Sequence, residues 1–93
     1  MREKAIEKKL VMMIKKMGGM ALKFISPGFD GIPDRLVLLS NGRLAFVELK
    51  APGRHLRPLQ ERRKSQLQAL GFLVFCIDEE KQIGGVLDEI RSS

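Results

Sequence analysis

The stretch DRLVLLSNGRLAFVELK, Asp34 to Lys50, decides the fold. Asp34–Leu39 and Arg43–Lys50 read as two strands, and Ser40-Asn41-Gly42 reads as the hairpin link between them. Alternation along the strands sorts the apolar residues onto two faces. Leu36, Leu38, Leu44 and Phe46 share one face; Val37, Leu39, Ala45, Val47 and Leu49 share the other. Both faces are apolar, so both need cover. That predicts helices on each side of the sheet, a three-layer α/β/α domain.

Working outward, residues 3–17 read as a helix, with Ile6, Leu10, Met13, Ile14 and Met17 at three- and four-residue spacing. Gly18-Gly19 stops it. Residues 20–25 read as a short strand and residues 26–33, rich in Gly and Pro, as a loop. Downstream, Ala51-Pro52-Gly53 ends the second hairpin strand. Pro58 opens a helix that runs to about Leu70, with Leu59, Leu67 and Leu70 on its buried side and Arg62, Arg63 and Lys64 solvated. Phe72–Ile77 is apolar throughout and is expected to be a strand buried on both faces. Residues 79–91 are partly helical, with Gly84-Gly85 obscuring where that helix starts. The order is αβββαβα, with a mixed four-stranded sheet whose second helix crosses over, right-handed, between parallel strands.

Ninety-three residues suit a single domain, 1–93. The net charge of +6 favours a polyanionic partner, although charge alone does not name one. The one cysteine, Cys76, excludes an internal disulfide and a four-cysteine zinc site, and its apolar neighbours suggest a buried thiol. No segment has the roughly twenty apolar residues that span a bilayer, and the charged N-terminus is unlike a signal peptide. The expected setting is the cytoplasm, with no membrane partner.

Charged residues intrude on the apolar hairpin at Asp34, Glu48 and Lys50, and such residues rarely enter a sheet unless paired or bound to a metal. Glu48 and Lys50 share a face. A two-residue turn would set Asp34 opposite Leu49, with its side chain on the wrong face. A three-residue link with Gly42 left-handed sets Asp34 opposite Glu48 instead. The two carboxylates, with the main-chain carbonyl of Leu49, then offer oxygen ligands to Mg²⁺ or Mn²⁺. Lys50 is placed to orient water or hold a phosphate. A plainer alternative is an ion pair of Glu48 with Lys50 or Arg35.

Gly18-Gly19, Lys23-Phe24, Ser26-Pro27-Gly28, Gly31-Ile32-Pro33-Asp34-Arg35, Val47-Glu48-Leu49-Lys50-Ala51-Pro52-Gly53, Leu59-Gln60 and Leu70-Gly71 together resemble the VRR-NUC (virus-type replication-repair nuclease) family in its short stand-alone form from phages and bacteria. The resemblance runs from Glu3 to about Asp78. It implies a PD-(D/E)xK nuclease fold in which Asp34 and Glu48 bind Mg²⁺ or Mn²⁺ and Lys50 is the catalytic lysine. It also implies catalytic roles for an acid on the first helix, matched by Glu3 with Glu7 as a second candidate, and for a glutamine matched by Gln60. It further implies a homodimer that cuts junctions or flaps.

Basic residues around this site are expected to contact phosphates: Lys23 and Arg35, Arg54 and Arg57 in the loop after the active strand, and Arg62 and Arg63 beyond it. His55 reads as a surface residue or phosphate contact. The five Phe, with no Trp or Tyr, favour recognition of DNA by backbone and shape over base stacking. The expected function is thus a metal-dependent endonuclease of branched DNA (Holliday junction or flap). The alternatives are a nuclease of linear duplex ends and a non-catalytic basic DNA-binding subunit.

Overall fold

Ile6, Leu10 and Ile14 recur every four residues, and all three are buried on the first helix, α1 (Glu3–Lys16). This helix ends where Gly18, at φ 78°, turns the chain. The N–H of Gly19 donates to Ile14 O at 3.0 Å and that of Gly18 to Lys15 O at 3.0 Å, the paired bonds that close a helix C-terminus on a left-handed glycine. A Cβ on Gly19 would come within 2.6 Å of the Leu38 carbonyl, so only glycine lets the chain enter the sheet so tightly.

The computed structural model describes residues 2–93. After α1 come β1 (Met20–Lys23), β2 (Arg35–Leu39), β3 (Arg43–Leu49), α2 (Pro58–Ala69), β4 (Leu73–Ile77) and α3 (Ile83–Ser92), the last preceded by a 3-10 turn at Glu80–Gln82. The four strands lie in sequence order in one sheet. β1–β2 and β2–β3 are antiparallel; β3–β4 is parallel, with α2 as the crossover. The αβββαβα order and the mixed sheet follow the sequence reading.

Val37, Leu39, Ala45, Val47 and Leu49 face α1 and α3, and with Ile77, Ile83, Leu87 and Ile90 they form one core. Burying each of these larger aliphatic side chains contributes about 1.5–3 kcal/mol. α2 lies on the opposite face, against β4. A row of three rings crosses that face: Phe24 is 5.6 Å from Phe46, which is 5.7 Å from Phe72.

Two expectations need correction. No residue of α2 is buried; Leu59 is 39% and Leu70 74% exposed, because this helix lies along the margin of the sheet with little beneath its outer side. β4 is less deeply buried than its apolar run suggests: Val74 on the α2 side and Ile77 on the α1/α3 side are buried, so both faces are covered, but it is the edge strand among the described residues and leaves Leu73, Phe75 and Cys76 only partly buried. Cys76 is accordingly half-buried. No helix among the described residues is long and apolar enough to cross a membrane.

Candidate active site

The link between β2 and β3 has three residues. Leu39 pairs with Arg43, and the intervening Ser40–Gly42 carries left-handed backbone at Asn41 (φ 65°) as well as Gly42 (φ 72°). With Arg35 paired to Val47, one further step sets Asp34 opposite Glu48. Asp34 stands just ahead of β2, anchored on both sides. Its carbonyl accepts the Phe24 N–H at 2.8 Å, and its Oδ2 accepts the Leu49 N–H at 3.0 Å. In an extended strand the N–H and C=O of one residue point to the same side, so the Leu49 carbonyl also faces the Asp34 side.

Glu48 is 5% exposed, alone among the described charged residues in being buried, and shares its strand face with Phe46. Its Oε2 accepts Nε2 of Gln60 at 3.1 Å and lies 3.9 Å from Nζ of Lys50. Burial, then the neighbouring Asp34 carboxylate, pushes the Glu48 pKa up to about 7. The Lys50 ammonium works against that rise, whereas a hydrogen bond to Asp34 and the charge of Glu3 add to it. A buried Glu48 that resists ionising beside the Asp34 carboxylate marks a site short of positive charge.

The donors suit a hard divalent cation. Among the described residues no three His, Cys, Asp or Glu side chains gather into a metal cluster. The set is therefore two carboxylates, Asp34 and Glu48, with the Leu49 main-chain oxygen, a partial shell of the kind Mg²⁺ completes with water.

Gln60 is held at the start of α2, where its Oε1 accepts the Arg57 N–H at 2.9 Å, and this leaves Nε2 facing Glu48. Glu3, at the exposed start of α1, lines a cleft of about 370 Å³ together with Lys50, Arg54, His55 and Arg57. Glu7 is directed elsewhere: its Oε2 accepts Nε of Arg35 at 3.0 Å.

The basic candidates divide. Lys23, Arg54, Arg57 and Arg62 are exposed. Arg35 is spent on structure, donating to Glu7 and, from Nη1, to Ala21 O at 3.1 Å. Arg63 is spent as well. It stacks 3.8 Å over Phe29, donates to Asp30 O at 2.8 Å and to Oε1 of Gln66 at 2.9 Å, and so straps the loop before Asp34 onto α2. The pairing of Arg35 with Glu7 and of Arg63 with the Phe29–Asp30 loop has no local sequence signal. Cys76, opposite Glu48 in register, is a further neighbour of the site; burial and the Glu48 charge push its thiol pKa up. Its alternation with Val74 was the available cue.

No family model matches the chain. It is 52% identical over 79 residues to a curated protein named "Putative nuclease p44" from Acyrthosiphon pisum secondary endosymbiont phage 1, covering 85% of each chain. It superposes on a solved structure described as a VRR_NUC domain with a TM-score of 0.87 at 29% identity, covering 92% of this chain and 94% of the other.

Proposed function

The chain belongs to the VRR-NUC family of nucleases, and from that premise we propose that it is a Mg²⁺- or Mn²⁺-dependent endonuclease of branched DNA, such as a Holliday junction or flap. One observation carries the reading: the three-residue link that sets Asp34 across from Glu48, with Lys50 two residues on along the same face.

In this reading Asp34, Glu48 and the Leu49 carbonyl hold the cation. When bound, it supplies Lewis acidity toward a phosphate oxygen and toward the attacking water. Lys50 orients that water and offsets charge that builds on the phosphate. Gln60 keeps one oxygen of Glu48 fixed, and Glu3 adds a carboxylate at the mouth of the cleft. Arg54, Arg57, Arg62 and Lys23 remain exposed to neutralise backbone phosphates.

A homodimer fits the second face of the sheet. α2 covers only its β4 side, leaving Met20 56%, Leu22 39% and Phe72 43% exposed. A second copy on this apolar surface would bring two sites to two strands.

The test is cleavage of junction, flap and linear duplex DNA with Mg²⁺, Mn²⁺ or chelator, alongside Asp34→Asn, which keeps an oxygen for the Leu49 N–H. The parent should cut branched DNA only with metal, and the variant should bind without cutting. Equal cutting of plain ends would remove the branched preference, and binding with no cutting under any metal would leave a non-catalytic DNA-binding subunit.

A further inference from the structure

Lys4, Lys8 and Lys15 recur at helical spacing on one side of α1, and all three are exposed. Among the described residues none of them has an acidic side chain within ion-pair distance. They border a groove of about 630 Å³ beside β2, floored by Val11 and Met12. The one acid in its wall, Glu7, is already neutralised by Arg35 at 3.0 Å. The groove therefore has a cationic rim with no compensating charge. Lys9, one position away, instead reaches Glu80 at 3.5 Å, so pairing is available on that helix and these three lie outside it.

The stripe also has a direction. α1 begins at Glu3, in the cleft that holds Lys50, and runs away from it. From Lys4 to Lys15 the axial distance is about 16 Å, the length of about five base-pair steps measured along a duplex axis at roughly 3.4 Å each.

We propose that this groove is a second DNA-binding surface, which takes the sugar–phosphate backbone of a duplex arm leaving the active site. The apolar floor carries the lysine stems while their ammonium groups reach the phosphates. The inference rests on the nuclease reading, since it needs DNA at the Asp34–Glu48 site.

The experiment measures binding of a fluorescent flap DNA against salt concentration, in an Asp34→Asn background so that nothing is cut. It compares Lys4→Gln/Lys8→Gln/Lys15→Gln with Lys16→Gln/Lys81→Gln/Arg91→Gln, three exposed cations off the groove. Loss of three phosphate contacts should flatten the slope of log K against log salt by about 2.7. The affinity ratio between 50 and 200 mM salt then shrinks about 40-fold, with the control unchanged. Trimming the duplex arm to about four base pairs should shrink the difference, because the arm no longer reaches Lys15. Equal slopes in the two triple variants overturn the groove while leaving the nuclease reading intact. Absence of DNA binding by the Asp34→Asn parent at every salt overturns both. The same variants are also sedimented with anionic phospholipid vesicles, and loss of vesicle binding with DNA binding unchanged overturns the proposal in favour of a membrane surface.

Discussion

Gln60 donates from Nε2 to Oε2 of Glu48 at 3.1 Å while its Oε1 accepts the Arg57 N–H at 2.9 Å, so one amide ties the start of α2 to a carboxylate on β3. Its orientation is set at both ends, since an N–H needs the oxygen and a carboxylate needs the NH₂.

Gln60→Ala should weaken divalent-ion affinity and activity about 10–100-fold, the usual cost of losing a residue that orients a metal ligand. Gln60→Glu keeps the acceptor for Arg57 but turns a like charge toward Glu48. It should raise the Glu48 titration midpoint but, by adding a carboxylate that attracts Mn²⁺, lose less affinity than alanine does. Isothermal titration with Mn²⁺ separates the two, and equal affinities in all three proteins would show that the amide has no hold on the site.

A Glu48 pKa of about 7 makes both activity and stability depend on pH. Protons compete with cation, so Mg²⁺ affinity should fall as pH drops through 7. Stability runs the other way. The folded pKa lies above the ordinary carboxyl value of 4.5, so the folded state binds the extra proton between the two values. Its stabilisation is complete below pH 4.5 and is lost as pH rises through about 7. The loss is on the order of 3 kcal/mol. Glu48→Gln should therefore raise the melting temperature at pH 8 without metal and abolish cutting. Mg²⁺ should stabilise the parent but not the variant. A variant that melts lower than the parent at pH 8 would contradict the burial argument.

The hairpin register was legible in the sequence because a one-residue slip reverses a side chain's face, and joining Asp34 to Glu48 requires a three-residue link or an equivalent bulge; the link is what the chain uses. The helices were legible from periodicity and from glycine and proline at their ends. The partners of Arg35 and Arg63 were not. Glu7 is 28 positions from Arg35, and the carbonyl of Asp30 is 33 positions from Arg63, so each cation looked free for phosphate. The exposure of Leu59 and Leu70 was hidden as well: a pattern of leucines states what a helix can bury, and the width of the sheet decides what it does bury.

Arg63 and its neighbour Arg62 should therefore behave differently. Arg63→Lys keeps the charge but loses the planar stack on Phe29 and the fixed fork to Asp30 and Gln66. It should cost about 1–2 kcal/mol and speed proteolysis in the 26–31 loop. Arg62 is exposed, and Arg62→Gln should leave the unfolding free energy within about 0.5 kcal/mol of the parent while lowering the salt slope of DNA binding by about 0.9. Reversed behaviour of the pair would assign the phosphate contact to Arg63.

The two acids of α1 divide in the same way. Glu3 is exposed in the cleft beside Lys50, and its charge reaches Glu48. Glu7 is partly buried, and its ion pair to Arg35 ties α1 to β2. Removing Glu7 strands a guanidinium that is only 13% exposed, whereas removing Glu3 leaves nothing buried behind. Glu7→Gln should thus destabilise by about 1–3 kcal/mol, with metal affinity unchanged in the folded protein. Glu3→Gln should leave unfolding unaltered but weaken Mn²⁺ binding and lower the Glu48 titration midpoint, because a like charge has gone. Denaturant unfolding and Mn²⁺ titration on both variants decide it. If Glu7→Gln lost metal with full stability, the helix-borne acid of the site would be Glu7, and its bond to Arg35 would have to open when the cation binds.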